Sequence, residues 1–425
     1  MLNNQNPASR LPSLMEDYDP NAMSVAKAKL FIKNYLSPLT ASELVPLKDA
    51  LGRVLAEAVL SPANVPNYNN SAMDGYAFNS LDIATEGLTK LSIIGTAYAG
   101  KAFEPPVQAG QCVRIMTGAM MPNGTDSVVV QEKVSLAGDS IGFSKPASSK
   151  MNVRYAGEDL SLGQTVLAAG RLIQAADLGL LASLGIAQIS VYRKLKVAFF
   201  STGDELAGIG QPLKIGQVYD SNRYTLYGML SRLGVDILDL GAIADDPNLL
   251  EKTLLAATQQ ADVVITSGGV SVGEADHMKM LLSKHGQVVF WKIAMKPGRP
   301  LAYGKIGQAH YFGLPGNPVA VMVTFYQFVR EALLTLMGQS QLSAIPTFNV
   351  VCTEPIKKQS GRTEFQRGIL YNDLDGSWKV KPTGNQGSAI LSSMSKANCF
   401  IVLDESVGNL DAGANVVVQI LHGLI

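Results

Sequence analysis

The segment DVVITSGGVSVGEADHMK (Asp262–Lys279) decides how this chain folds. An unbroken apolar run ends in two glycines, and helical spacing resumes a few residues later, which is the order strand, glycine-rich loop, helix. The loop lacks the Lys-Ser/Thr that closes a P-loop and leads instead into two carboxylates, Glu274 and Asp276. Backbone amides and acids together suit an anion that arrives with a metal ion.

On either side the same unit repeats. LKVAFFS, VDILDLG, VVFWKIAM and HYFGLP, between Leu195 and Pro315, read as buried strands. The helices between them are SNRYTLYGMLSRLG, with Ser221 as cap and Gly234 as stop, DDPNLLEKTLLAATQQ, with Pro247 in the first turn, and EADHMKMLLSKHG, closed by Gly286. This alternation predicts a doubly wound α/β domain with a mostly parallel sheet. Ligands of such sheets sit beyond the carboxyl ends of the strands. Polar loops fall there in this sequence: STGDE (Ser201, Thr202, Gly203, Asp204, Glu205), ADD (ending in Asp245 and Asp246), SGGVSVGEAD, KPGRP (with Lys296, Pro297 and Arg299) and LPGNP (with Pro315, Asn317 and Pro318). One crevice is thus expected to gather six acids with Lys296 and Arg299. Mg²⁺ prefers a few carboxylates plus substrate phosphates, so a bridging cation is expected, with Gly268, Gly269 and Gly273 letting amides approach the anion.

Towards the amino terminus a short helix is predicted near Ser24–Leu36, and VPLKDALGRVLAEAVLSP (Val45–Pro62) reads as a second helix capped by Asp49. From about Ala63 to Arg154 short β-type runs take over, and helical pattern returns at AADLGLLASLG (Ala175–Gly185). GTAYAGKA (Gly95–Ala102) matches GxxxxGK but has Ala102 where Ser or Thr is needed, so it reads as a hairpin turn. Beyond Leu342 five strand-like runs, with YNDLDG as a turn, predict a separate β domain.

Composition narrows the function classes. The 425 residues carry 35 basic and 35 acidic side chains, so the net field attracts neither nucleic acid nor anionic lipid. The hydrophobic fraction is 47% and the charged fraction 16%, against about 25% in ordinary soluble domains, which points to extensive burial and a subunit interface. No leader or membrane-length apolar run is read, and three separated cysteines with no CxxC pair fit a reducing cytoplasm. The four histidines form no ligand cluster.

SAMDGYA, RIMTGA, GED, STGDEL, SGGVSVGEAD, KPGRP and GLPGNPV follow one another along the chain, with GRVLAE before them in the first module and FQRG after them in the last. In this order they resemble the signatures of the molybdopterin molybdenumtransferase (MoeA-type) family, also met in the C-terminal part of gephyrin, from about Asp19 to the end. The resemblance implies four parts: a split N-terminal helical domain (19–62 and 155–194), an inserted β domain (63–154), a molybdopterin-binding α/β domain (195–340) and a C-terminal β-barrel-like domain (341–425). It also implies a cytoplasmic homodimer that inserts molybdenum from molybdate into adenylylated molybdopterin with Mg²⁺, releasing AMP. Partners would extend to a molybdopterin adenylyltransferase and downstream cofactor carriers.

By matching motif, the resemblance gives Asp245, Asp276 and Glu205 to the metal and adenylate. Lys292, Lys296, Arg367 and Ser388 go to the molybdate side, and Asp74, Thr117, Arg154 and Asp159 to the inserted domain and its boundary, which in the family reach the crevice of the other subunit. Ser271 belongs to the same substrate-binding loop as Gly268, Gly269 and Gly273. Met120 and Met121 depart from the family pattern, as does Arg299, where lysine is frequent. A scaffold that has lost catalysis, an adenylyltransferase and a tungstate-using paralogue stand as alternatives.

Overall fold

In the computed structural model, which describes residues 22–144, 150–269, 277–342 and 345–421, the longest stretch of chain wraps a six-stranded sheet. Before it comes α1 (Val25–Asn34), N-capped by the Ser24 side chain, which accepts from the Lys27 amide. Ala28 and Ile32 on its inner face join the main hydrophobic core.

Val45–Pro62 forms no helix. A strand at Ser42–Pro46 pairs antiparallel with Gln188–Tyr192, one 3-10 turn covers Leu47–Ala50, and Val59–Leu60 pairs with Thr165–Leu167. Leu51, counted on the apolar helical face, is 57% exposed. Gly52 takes φ +73°, a left-handed backbone that ends any helix. The competing interaction is tertiary: partners about 140 residues downstream bury Val45, Ala50 and Leu55 with Leu181 of α2 (Ala175–Ser183) and with Val191. A local window cannot register such partners.

Between these halves lies a six-stranded sheet in the order Ser127–Val130, Gly75–Phe78, Gln111–Ile115, Leu88–Ala97, Ser140–Ser144, Ser135–Ala137. In GTAYAGKA the strand Leu88–Ala97 ends in a tight turn, the Lys101 amide donating to the Tyr98 carbonyl at 3.1 Å. The next strand, Gln111–Ile115, pairs parallel with it, so the segment does not join them as the expected hairpin.

The central sheet begins with β1 (Lys196–Thr202), followed by α3 (Ser221–Leu233), β2 (Asp236–Ile243), α4 (Pro247–Gln260) and β3 (Val263–Ser267). Next come α5 (His277–His285), β4 (Gly286–Lys292), β5 (Pro300–Ile306) and β6 (Ala309–Leu314). Its order is β2-β1-β3-β6-β5-β4. The first four strands are mutually parallel, while β5 runs antiparallel to both neighbours. β4 therefore points the same way as the parallel set and delivers KPGRP to the same rim. Asp220, rather than Ser221, caps α3, accepting from the Arg223 amide at 3.1 Å, and Gly234 closes that helix at φ +73°. Pro247 occupies the first turn of α4 behind the cap Asp246. Gly286 opens β4 directly instead of leading a loop.

After β6 one continuous helical run, α6 (Pro318–Thr324), a π turn and α7 (Arg330–Leu336), packs across the sheet. At 19 residues and mean hydropathy 1.4 it reaches membrane-spanning length, unlike the sequence-based reading; 72% of its apolar window is buried inside the molecule, which makes it a core helix. The chain ends in β7 (Thr347–Cys352), β8 (Thr363–Asn372), β9 (Trp378–Pro382), α8 (Leu391–Lys396), β10 (Cys399–Leu403) and β11 (Asn415–Ile420). The order β8-β9-β7-β11-β10 returns to β8, closing five strands into a barrel. A sixth short strand, Met295–Lys296, pairs with Thr363–Glu364 at the barrel edge and fastens it to the central sheet.

Candidate functional site

At the carboxyl end of β1, Ser201 and Thr202 are buried and lead into Gly203, with Asp204 and Glu205 exposed beyond it. The Glu205 carboxylate folds back over the space a Gly203 Cβ would take, so a side chain there would push that carboxylate aside. Asp204 accepts from the Asp245 amide at 3.1 Å, so the loops after β1 and β2 are joined and Glu205 and Asp245 face solvent on one rim. Asp246 is engaged otherwise, capping α4 through the Leu249 amide.

Gly268 and Gly269 follow β3 with φ +92° and +66°. A Cβ on Gly268 would lie 2.6 Å from the Thr202 carbonyl, so close packing of two loops, together with the backbone angle, requires glycine here. The Gly268 amide donates to the Leu314 carbonyl at 3.1 Å and is therefore spent on the fold, not directed at a ligand as the sequence suggested. Ser271, Gly273, Glu274 and Asp276 lie outside the described residues.

Asn222 from the first turn of α3 was not singled out by sequence, because its position looks like an ordinary helix start. Its amide donates to Ser267 Oγ and to the Gly316 carbonyl, both at 2.7 Å, tying the ends of β3 and β6 together. Ser201 Oγ, Thr202 Oγ1, Asp220 Oδ2 and Asn222 Oδ1, all buried around this rim, have no hydrogen-bond partner among the described residues. Buried polar groups are ordinarily satisfied, so these atoms mark a polar crevice floor.

The other half of the site is a cleft of about 820 Å³ between the loops KPGRP and LPGNP and the barrel. Lys296, Pro297, Arg299, Pro315 and Asn317 line one wall. Lys357, Arg362, Gln366 and the loop Gly384–Ser388 line the other. Among the described residues four basic side chains and no carboxylate line this surface, a composition fitted to a multiply charged oxyanion. Pro318 starts α6 just behind, where the Val319 amide donates to the Ser388 carbonyl at 3.1 Å. Lys292, half-buried at the end of β4, is not part of the lining.

Arg367 is 1% exposed and stands behind the cleft wall. Its Nε donates to Ser393 Oγ at 2.9 Å, and its Nη2 donates to the carbonyls of Gly387 at 2.9 Å and Asn385 at 3.3 Å. Burial pulls its pKa down to about 10, still leaving the guanidinium charged at neutral pH. As placed, it shapes the loop that carries Ser388. Lys357, Arg362 and Gln366 were missed by sequence reading, although Arg362 and Gln366 share the stretch GRTEFQRG with Arg367. The strand register sorts that stretch, since Glu364 and Gln366 fall on one face of β8 and Arg367 on the other.

A second cavity, of about 950 Å³, lies wholly within residues 73–152. There Asp74 accepts from the Thr117 amide at 2.7 Å and from the Thr117 hydroxyl at 2.8 Å. Those bonds, the backbone one foremost, hold its carboxyl below the usual range. Arg154 and Asp159 are exposed nearby in sequence but do not line this cavity. Most of the described residues predicted for the site thus fall into three groups within one chain, the rim, the basic cleft with Arg367 behind it, and the Asp74–Thr117 pair, while Lys292, Arg154 and Asp159 line neither cavity.

Among the described residues no group of three His, Cys, Asp or Glu side chains could hold a metal. The rim does offer exposed carboxylates, the hard oxygen donors Mg²⁺ takes while keeping much of its water. The donor set therefore fits that ion in chemistry, with few protein ligands.

Comparison with known proteins gives three successive family matches: the MoeA N-terminal region (domains I and II) over residues 23–185, the probable molybdopterin-binding domain over 198–335, and the MoeA C-terminal region (domain IV) over 349–421. A molybdopterin molybdenumtransferase of Haemophilus influenzae is 47% identical over 91% of this chain and 95% of its own length. Another from Nostoc is 34% identical over 89% and 88%. The molybdopterin biosynthesis MoeA protein of Pyrococcus horikoshii superposes with a TM-score of 0.81 at 28% identity, covering 94% of this chain and all of that one.

Proposed function

The chain belongs to the MoeA family and is a transferase of molybdenum cofactor biosynthesis, and from that premise we propose how its two half-sites share the work. The adenylyltransferase and scaffold alternatives are not favoured, since the full-length relatives are named molybdopterin molybdenumtransferases.

In this reading the crevice takes adenylylated molybdopterin and the basic cleft takes molybdate. The observation that carries it is the segregation of charge, with carboxylates on the rim and, among the described residues, only basic ones as the charged side chains lining the adjoining cleft. Asp245 and Glu205, with Asp276, would hold Mg²⁺, which when bound neutralises phosphate oxygens. Glu205 and Asp204 orient the phosphoanhydride for attack by water, which breaks the bond to AMP. Lys296, Arg299 and Arg362 fix the molybdate dianion while the two dithiolene thiols bind molybdenum and one oxo group leaves as water, taking their two protons. Ser388 donates to the same anion from a loop that Arg367 braces. Water excluded from this pocket strengthens each of these interactions.

The Asp74–Thr117 cavity has no part in either half-site of its own chain. We assign it, with Arg154 and Asp159, to the crevice of a second copy, which makes the working enzyme a homodimer. The test is direct: purified protein with adenylylated molybdopterin, Mg²⁺ and molybdate should release AMP and activate a cofactor-free molybdoenzyme. AMP release without activation would reject the assignment of the basic cleft.

A further inference from the structure

Under the floor of the basic cleft lies one carboxylate that the proposed reaction does not use. Glu364 sits in β8 and is 1% exposed. Its Oε2 accepts from the Gln366 amide at 3.1 Å, and that amide also donates to the Lys357 carbonyl at 3.0 Å, so the carboxylate is fixed in orientation. Its other oxygen, Oε1, has no hydrogen-bond partner among the described residues. Two cations nevertheless face it: Lys296 Nζ and Arg362 Nε each stand 3.7 Å from that oxygen. Both line the cleft and are partly exposed.

These distances are within ion-pair range but too long for hydrogen bonds. Each cation is held against the wall by charge alone and keeps its donors for the cleft. We propose that Glu364 is a built-in competitor for the oxyanion, a fixed counter-charge that weakens anion binding by Lys296 and Arg362 so that the cleft exchanges its ligand. The reason is Coulombic: a buried negative charge directly beneath two cations lowers the potential felt by any anion above them, and a dianion feels it doubly. The backbone arrangement makes this durable, because Lys296 and Glu364 are register partners between Met295–Lys296 and β8. Glu364 acts through the two cations, without touching the anion, and is a positioning residue.

The proposal rests on the reading of the cleft as an oxyanion site, and binding titrations separate the two. Molybdate alone and inorganic phosphate alone are titrated calorimetrically into the wild-type protein, Glu364→Gln and Glu364→Asp at low ionic strength. Glu364→Gln keeps the shape and the contact with Gln366 while removing the charge, and is expected to bind the anion at least about five-fold more tightly. Glu364→Asp, with its charge retained, should stay within about two-fold of wild type. In turnover, Glu364→Gln should lower the KM for molybdate and lower kcat with it, a split that simple loosening of the barrel edge does not produce. Equal or weaker anion binding by Glu364→Gln overturns the competitor role. So does tightening in Glu364→Asp equal to that in Glu364→Gln. Absence of anion binding by the wild-type protein removes the oxyanion reading of the cleft itself, and this inference with it.

Discussion

The rim of the central sheet and the cleft beside the barrel draw on loops at the same end of that sheet yet solve opposite electrostatic problems. At the rim, acids stand exposed and the local amides are consumed in joining loop to loop, as with Asp204 and the Asp245 amide or Gly268 and Leu314. In the cleft, bases reach the surface and a carboxylate, Glu364, is buried behind them. On the proposed reading the anion is bound with side-chain charge drawn from two domains. Among the described residues of the glycine-rich loop, the Gly268 amide is spent on the Leu314 carbonyl.

The sharpest way to break that contrast is to remove one charge from each side. Lys296→Ala should reduce molybdate-dependent activation by about 100-fold or more, the scale of losing one preorganised group at a developing charge. Asp245→Asn should do as much at limiting Mg²⁺ and recover in part as Mg²⁺ is raised. Measuring AMP release and activation separately shows which half has failed; equal responses of the two variants to added Mg²⁺ would erase the division.

A buried brace should behave differently from either. Arg367→Leu strips donors from two loop carbonyls and Ser393, and is expected to lower unfolding free energy by about 3 kcal/mol in urea titrations. An activity loss without that destabilisation would make Arg367 a direct anion ligand. Gly268→Ala should cost about 2 kcal/mol through its backbone angle and its contact with Thr202.

Sequence reading was strongest where pattern and chemistry repeat locally. The strands LKVAFFS, DVVITSG and HYFGLP are β1, β3 and β6, and the rim loops follow them because strand direction alone decides where they go. It was weakest where partners are distant. Val54 and Leu55 have helical spacing with Leu51, yet they bridge to Leu172 and Val191 in the other half of the split module. Lys357 and Arg362 carry no motif of their own and become site residues only because the barrel faces KPGRP. Arg367 was recognisable as important, but its direction depends on the parity of β8, which the barrel closure fixes.

The smallest effects test these corrections. Gly52→Ala would stabilise a helix over Val45–Pro62, whereas the observed φ of +73° makes it destabilising by about 1 kcal/mol in thermal or urea unfolding. Thr117→Ala should return the Asp74 carboxyl towards its ordinary value of 3.8, visible by NMR titration. Because the folded value is depressed, the stabilisation is present above that ordinary value and is lost as pH falls through the folded one, so the variant and wild type should converge in strong acid.

The short strand Met295–Lys296 belongs by sequence to the α/β region and by pairing to the barrel. Its lysine is also the base that stands over Glu364. Hinging the two domains apart at this point would tear the sheet edge and dismantle the anion seat in one motion. Junction and anion seat are thus one element, so any shift of the barrel edge displaces the lysine that faces the cleft.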